Sequence, residues 1–114
     1  MEIEAEKDET LSTADRIEAL SEGVAAFLEI PMPGQDAHLF EPYGVSLIRF
    51  GVRGRLAIHT WPERRVATID VWGPAATLDD KARALLDWIC ASHGAKILAA
   101  RLYEADGTLT RPLA

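Results

Sequence analysis

The amino-acid sequence predicts an α+β fold, a two-layer sandwich of a mainly antiparallel sheet with two helices on one face. Two stretches place apolar residues at helical spacing, and three β-prone stretches lie between them, joined by links short enough for hairpins. A further β-prone stretch follows the second helix. With 114 residues, the chain has the size of one domain and can bury a real core.

The first ten residues are strongly acidic. Five acidic residues and one lysine give this segment a formal charge of −4, out of −6 for the whole chain. Such charge density favours a flexible, solvated tail over residues 1–10, followed by a single domain over 11–114. Because Ile3 and Ala5 alternate with glutamates, a short edge strand is the alternative.

The first helix is predicted from Ser12 to just before Pro31. Ser12 and Asp15 have the spacing of a capping box, in which the two side chains cap the first turn. The apolar positions of this helix are Ile17, Leu20, Val24, Phe27 and Leu28. Two prolines and a glycine within 31–34 end the helix and predict a loop through His38, because proline cannot donate to a β ladder.

Four strands are predicted. The β-prone stretch 45–50 and the stretch 56–61 are joined by a glycine-flanked turn at 51–54, and the alternating stretch 66–72 follows. The last strand is predicted at 96–103, after the second helix.

The second helix is predicted to begin at Thr77, which has Asp80 three residues later as its capping partner. It ends at Gly94, a residue that readily takes the left-handed conformation of a helix C-terminus. Its apolar stripe comprises Ala82, Leu85, Leu86, Ile89 and Cys90.

Composition and charge exclude several classes of protein. The chain is 48% hydrophobic and 26% charged, which excludes a disordered chain. A lone Cys90 allows neither an intramolecular disulfide nor a cysteine-based zinc site, and three scattered histidines predict no metal site. The acidic balance argues against nucleic-acid binding. Without a membrane-spanning run or a signal peptide, the chain is predicted to be cytoplasmic, with no membrane partner.

Candidate binding residues concentrate between positions 40 and 65. An aromatic pair, Phe40 and Trp61, together with His59 and the Glu63 carboxylate, could clamp a flat heterocycle and bind its sugar hydroxyls. The alternative is that both aromatics belong to the core or to an interface, and that His59 is an ordinary hydrogen-bonded strand residue.

Two segments resemble signature stretches of the prokaryotic S-adenosylmethionine decarboxylase proenzyme family. They are 40–46 (FEPYGVS) and 56–63 (LAIHTWPE), and their separation fits the family without a gap. The following stretch 67–71 resembles that family's next strand. The resemblance implies that Phe40 and Trp61 surround an adenine and that Glu63 hydrogen-bonds the ribose. It also implies that Ser46 and His59 line the reaction centre.

The same resemblance shows what is missing. The family makes a pyruvoyl cofactor by cleaving its own chain at a Glu-Ser-His sequence, whose positions here hold Arg53, Gly54 and Arg55. Glycine has no hydroxyl to attack the preceding carbonyl, so no pyruvoyl group and no other cofactor is expected. The family's proton-donating cysteine falls at Pro74. Arg53 and Arg55, placed beside the expected pocket, would disfavour a cationic sulfonium and suit an anionic adenosine compound.

Three functions remain open. The first is a non-decarboxylating homologue that binds an adenosyl ligand or regulates a partner chain. The second is an enzyme with different chemistry in the same pocket, with His59 as general base. The third is a structural or assembly subunit without a ligand. The uncovered sheet face and the family resemblance predict a homodimer, or a heterodimer with a related chain.

Overall fold

A computed structural model describes residues 1–40, 44–104 and 106–113 of the chain. The two α-helices within these ranges are α1 (Ala14–Leu28) and α2 (Ala75–His93). The strands are β1 (Glu2–Ala5), β2 (Gly34–Leu39), β3 (Val45–Phe50), β4 (Arg55–Trp61), β5 (Val66–Trp72), β6 (Ala95–Ala99), β7 (Arg101–Tyr103) and β8 (Leu109–Pro112). No helix of the described part of the chain is long and apolar enough to cross a membrane.

The main sheet has six strands in the order β2-β3-β4-β5-β1-β6, and every neighbouring pair is antiparallel. Both helices pack on one face, and their apolar stripes share one core with the inward-facing strand residues. The strand residues of this core include Ile3, Leu47, Leu56, Ile58 and Ile69, each 0–1% exposed. The predicted α+β sandwich is therefore confirmed.

The predicted tail is wrong for residues 2–5. They form β1, which lies inside the sheet between β5 and β6. Ile3 and Ala5 point into the core, whereas Glu2 and Glu4 point to the opposite face, where Glu4 Oε1 lies 3.1 Å from Lys96 Nζ. The glutamates of this segment, whose charges favour a tail in the sequence, lie on the outward face of a strand whose other face is buried.

The predicted loop at 31–38 is also wrong. Its second half forms β2, an edge strand that pairs with β3 over six residues from Gly34 to Leu39. Both prolines precede the strand, so no ladder donor is lost. The C-terminal strand likewise differs from prediction, because the chain leaves the sheet after Ala99, and β7 pairs instead with β8 in a separate hairpin.

The helix boundaries differ slightly from those predicted. Thr13, not Ser12, caps α1, and its Oγ1 accepts a hydrogen bond from the Arg16 amide at 3.4 Å. The second helix begins directly after Pro74, two residues before the predicted cap. It ends as predicted at Gly94, whose φ of 59° is left-handed.

Candidate functional site

The sheet face away from the helices, called here the outer face, carries the predicted binding residues in cross-strand rows. His59 lies opposite Ser46 on one side and Thr68 on the other. Four residues earlier on β4, Arg55 lies opposite Phe50 and Trp72. Because side chains alternate along a strand, these residues all point to the same face.

Phe40, Gly44 and Trp61 form one such row, called here the aromatic row. The Phe40 amide donates a hydrogen bond to the Gly44 carbonyl at 2.9 Å. On the other side of Gly44 lies the end of β4, with the Thr60 carbonyl near by. Phe40 is 49% exposed and Trp61 44%. Both aromatics are therefore accessible on the outer face, and among the described residues Gly44 lies between their backbones on the sheet.

Gly44 has a φ of 121°, a conformation that other residues rarely adopt. A Cβ here would lie 3.8 Å from Phe40 Cβ and 3.8 Å from Pro62 Cδ, so a side chain would occupy the gap. Two strand spacings separate the backbones of Phe40 and Trp61 by about 10 Å. A planar ring stacked on both faces needs about 7 Å, at about 3.5 Å per contact. Among the described residues, the spacing of these two backbones is therefore wide enough for a flat heterocycle.

Next to the aromatic row, a hydrogen bond of 2.8 Å joins Ser46 Oγ and His59 Nδ1. With the neutral Nε2–H tautomer of His59, the hydroxyl donates to Nδ1. Both residues are half-buried, which holds the pair in place and leaves it reachable from the outer face. A hydroxyl bonded to an imidazole has the geometry of a nucleophile and its general base.

Sequence reasoning missed His38 as a member of this region. The sequence predicts a loop at this position, but β2 places His38 directly opposite Ser46. Its ring also meets the Phe40 ring edge-on, with centroids 4.5 Å apart. The only sequence signal was its position two residues before Phe40, which puts both on the same face once the segment is a strand.

Glu63 lies beyond the end of β4, in a short 3₁₀ turn over Pro62–Arg64. It is exposed and borders a shallow depression whose other side is formed by residues 6–9. The carboxylate is two residues from Trp61, at the same end of the sheet. The three residues Glu41, Pro42 and Tyr43 of the first signature stretch lie outside the described residues.

Arg53 and Arg55 do not join this group within one chain. Arg55 is six residues before Trp61 on the same strand, which corresponds to about 20 Å at about 3.3 Å per residue. Its guanidinium lies 5.0 Å from the centroid of the Trp72 ring, a cation–π contact at the opposite end of the outer face. Arg53 belongs to the exposed turn that precedes β4.

A cleft of about 1050 Å³ lies elsewhere, between the start of α2, the end of β5 and the β7–β8 hairpin. Phe40, Ser46, His59 and Trp61 are not among its lining residues. Over the described ranges, no cluster of three or more histidine, cysteine, aspartate or glutamate residues could hold a metal ion.

The family model for S-adenosylmethionine decarboxylase matches residues 1–103. This chain belongs to that family. The match includes every outer-face residue described above, and it starts at β1. The family resemblance inferred from the two signature stretches is confirmed.

Curated relatives are similar over much of the chain. The S-adenosylmethionine decarboxylase proenzyme of Thermoplasma acidophilum is 31% identical over 81 residues, covering 69% of this chain and 62% of the relative. That of Aquifex aeolicus is 25% identical over 104 residues, covering 90% of this chain and 72% of the relative. The chain spans 55% of a third such proenzyme, from Thermoplasma volcanium.

Among solved structures, the fold is similar to the crystal structure of the adenosylmethionine decarboxylase from Aquifex aeolicus VF5. The TM-score is 0.67 at 21% sequence identity, covering 84% of this chain and 78% of that chain. At this identity the likeness establishes the shared fold.

The pyruvoyl group that the family implies can be tested against the residues present. Gly54 has no oxygen that could attack a carbonyl or become a keto group. Pro74, immediately before α2, has no titratable proton. An added Cβ at Gly54 would also lie 2.9 Å from the Trp72 carbonyl oxygen. The residues at these positions do not fit the group.

Proposed function

We propose that this chain is a non-decarboxylating member of the S-adenosylmethionine decarboxylase family that binds an adenosyl compound on its outer face. The observation that carries the proposal is the aromatic row, in which two exposed aromatics flank a glycine on the outer face. Aromatic side chains bind purine bases by stacking on their faces.

The polar residues at this end of the sheet suit the rest of such a ligand. Glu63 would accept hydrogen bonds from the ribose hydroxyls, as the family resemblance implies. Ser46 and His59 would face the group attached to the 5′ carbon, because they occupy the row next to the aromatic row. In this assignment, each of the five binding residues at the Trp61 end of the sheet has a role. They are Phe40, Ser46, His59, Trp61 and Glu63.

The absence of pyruvoyl chemistry is part of the proposal. A chain with Gly54 in place of the processing serine stays in one piece and keeps no keto group, so it lacks the electron sink that decarboxylation requires. Binding without decarboxylation, in the cytoplasm, is the function we assign. A regulatory effect on a partner chain would act through the same bound ligand.

The charge of the ligand follows from the position of the arginines. At about 20 Å, two unit charges in water interact by only about 0.2 kcal/mol, and salt screens them further. Arg55 therefore does not repel a sulfonium bound between Phe40 and Trp61 of its own chain. Glu63 places a carboxylate at the Trp61 end of the sheet, so we propose neutral or cationic adenosyl compounds rather than the anionic ones that the sequence alone favours.

A second candidate function rests on the Ser46–His59 hydrogen bond of 2.8 Å. In this alternative, His59 acts as a general base on the Ser46 hydroxyl, or on a substrate hydroxyl that replaces it. If the wild-type chain converts an adenosyl compound to a product and His59→Ala does not, this alternative would be favoured over simple binding.

We also propose that the outer face is covered by a second copy of the chain or by a related chain. Four large apolar side chains on it are 44–48% exposed, namely Ile48, Phe50, Trp61 and Trp72. Three of them, Ile48, Phe50 and Trp72, lie toward the same end of the face, and clustered exposed apolar side chains mark an interaction surface. Sedimentation velocity at micromolar concentration should show a dimer, and a monomer without any partner in pull-downs would contradict this.

A thermal-shift panel tests the main proposal. The compounds are S-adenosylmethionine, its decarboxylated form, methylthioadenosine, S-adenosylhomocysteine and AMP. A ligand that binds only the native state raises Tm by mass action. At a ligand concentration of 100 times Kd, it adds about 2.7 kcal/mol to the free energy of unfolding. We expect the sulfonium compounds and methylthioadenosine to raise Tm more than AMP. An unchanged Tm with all five compounds would contradict the proposal.

A further inference from the structure

Gly54 occupies a space at the start of β4 that has room for no side chain. A Cβ built there would lie 2.9 Å from the backbone oxygen of Trp72, 2.9 Å from Ile30 Cγ2 and 3.2 Å from Met32 Cε. Carbon atoms in contact normally lie about 3.5–4.0 Å apart. The first neighbour is sheet backbone and the second belongs to a side chain only 5% exposed, so neither can move aside freely.

The turn that contains Gly54 is held against the segment that links α1 with β2. The Gly51 amide donates to the Gly54 carbonyl at 2.9 Å, which closes the turn. A Cβ at Gly51 would fall on the Pro31 carbonyl oxygen. Both glycines therefore lie close against residues 30–32, and a side chain at either position would meet that segment.

Backbone conformation does not explain this glycine. Among the described residues, the glycines with positive φ are Gly44, Gly94 and Gly107. At Gly107, in contrast, no atom lies within 4 Å of a built Cβ. The requirement at position 54 is thus steric, imposed by its neighbours, and not a matter of φ.

We infer that position 54 is closed by packing, so that this chain cannot regain self-cleavage through a single glycine-to-serine change. The hydroxyl is missing, and the space that a serine side chain needs is occupied by the Trp72 carbonyl and Ile30. The inference depends on the proposed non-decarboxylating function in one respect, namely that position 54 corresponds to the processing serine. Its packing part is independent of whether any adenosyl compound binds.

Two substitutions with a shared Cβ test the inference. Gly54→Ser should remain one chain of full-length mass and should lower Tm by roughly 4–10 °C, as expected for overpacking. Gly54→Ala should lower Tm by a similar amount, because the Cβ and not the hydroxyl meets the neighbours. Val52→Ser is the matched control in the same turn, since Val52 is fully exposed, and its Tm should stay within about 2 °C of wild type.

A second background keeps the test decisive if Gly54→Ser folds poorly. Ile30→Ala removes one of the two closest atoms, although it costs stability of its own by leaving a cavity. Adding Gly54→Ala to Ile30→Ala should then lower Tm by less than adding it to wild type. An equal loss in both backgrounds would contradict the steric account.

The remaining outcomes separate this inference from the proposed function. Two fragments from Gly54→Ser by mass spectrometry, or an unchanged Tm in Gly54→Ala, would overturn the inference and leave adenosyl binding untouched. Failure of the wild-type chain to bind any adenosyl compound would overturn the proposed function and leave the packing result standing.

Discussion

Replacing Trp61 with alanine should remove one wall of the proposed adenine site while leaving the sheet intact. Trp61 is the last residue of β4, its side chain lies on the outer face, and it is 44% exposed. The buried core lies on the other face of the sheet. The substitution therefore changes the aromatic row and leaves the core packing in place.

The expected loss of affinity follows from stacking energies. Stacking of a base on an aromatic side chain contributes roughly 1–3 kcal/mol. At about 1.4 kcal/mol per factor of ten, this loss corresponds to a 5- to 150-fold rise in Kd. The change in Tm without ligand should be small, because a half-exposed residue at a strand end contributes little buried area.

Isothermal titration with methylthioadenosine measures the effect, and Trp72→Ala is the matched control. Trp72 is 47% exposed, also ends a strand, and lies at the opposite end of the outer face. The Trp72→Ala variant should bind methylthioadenosine with the same Kd as wild type. Equal losses in both variants, or unfolding of Trp61→Ala, would refute the assignment of the aromatic row and make Trp61 a scaffold residue.

Three further predictions concern other parts of the chain. Glu63→Ala should weaken ligand binding by about 1.5–3 kcal/mol in the same titration, as for hydrogen bonds to a charged group; an unchanged Kd would remove Glu63 from the site. Arg49→Leu should lower Tm, because the guanidinium donates to Ser21 Oγ at 3.0 Å and to the Met32 carbonyl at 3.2 Å; an unchanged Tm would show that these bonds add nothing. Burial lowers the pKa of His93 below its ordinary 6.5, so the stability present above pH 6.5 should be lost as pH falls through 6.5 to the folded-state pKa. His93→Gln should flatten that dependence in urea titrations, and an identical pH profile would contradict it.

The strands that alternate cleanly were predictable from sequence. The stretch 66–72 was predicted to its observed ends, because its alternation matches a sheet with one buried face. The stretch 45–50 matched as well. The first helix was found through its apolar stripe, and its cap was misplaced by one residue because Ser12 and Thr13 are both good N-caps.

Two strands were missed for physical reasons. β1 carries two glutamates in four residues, and local charge outweighed the Ile3–Ala5 alternation in the sequence interpretation. Its place between β5 and β6 is a long-range pairing that no local pattern encodes. β2 is an edge strand that starts at Gly34, directly after Pro33, and four of its six residues are exposed, so it lacks the apolar alternation that identifies a strand.

The candidate site was predictable in its residue types and only partly in its geometry. The signature stretches identify Phe40 and Trp61 as candidate residues. The position of Gly44 between them follows only from the strand register. Arg55 is close to His59 in sequence, and the two side chains could meet if this segment were a loop. In an extended strand, however, their spacing of four positions places them about 13 Å apart.

Native mass spectrometry of the wild-type chain with S-adenosylmethionine tests the central claim most directly, because it weighs the chain and its ligand together. The account predicts one uncleaved chain of full-length mass, alone or as a dimer, that carries intact S-adenosylmethionine and releases it unchanged. Two chain fragments, or a bound ligand that has lost its carboxyl group, would contradict the claim that this protein binds without decarboxylating. A chain that carries no ligand at saturating concentration would contradict the claim that it binds.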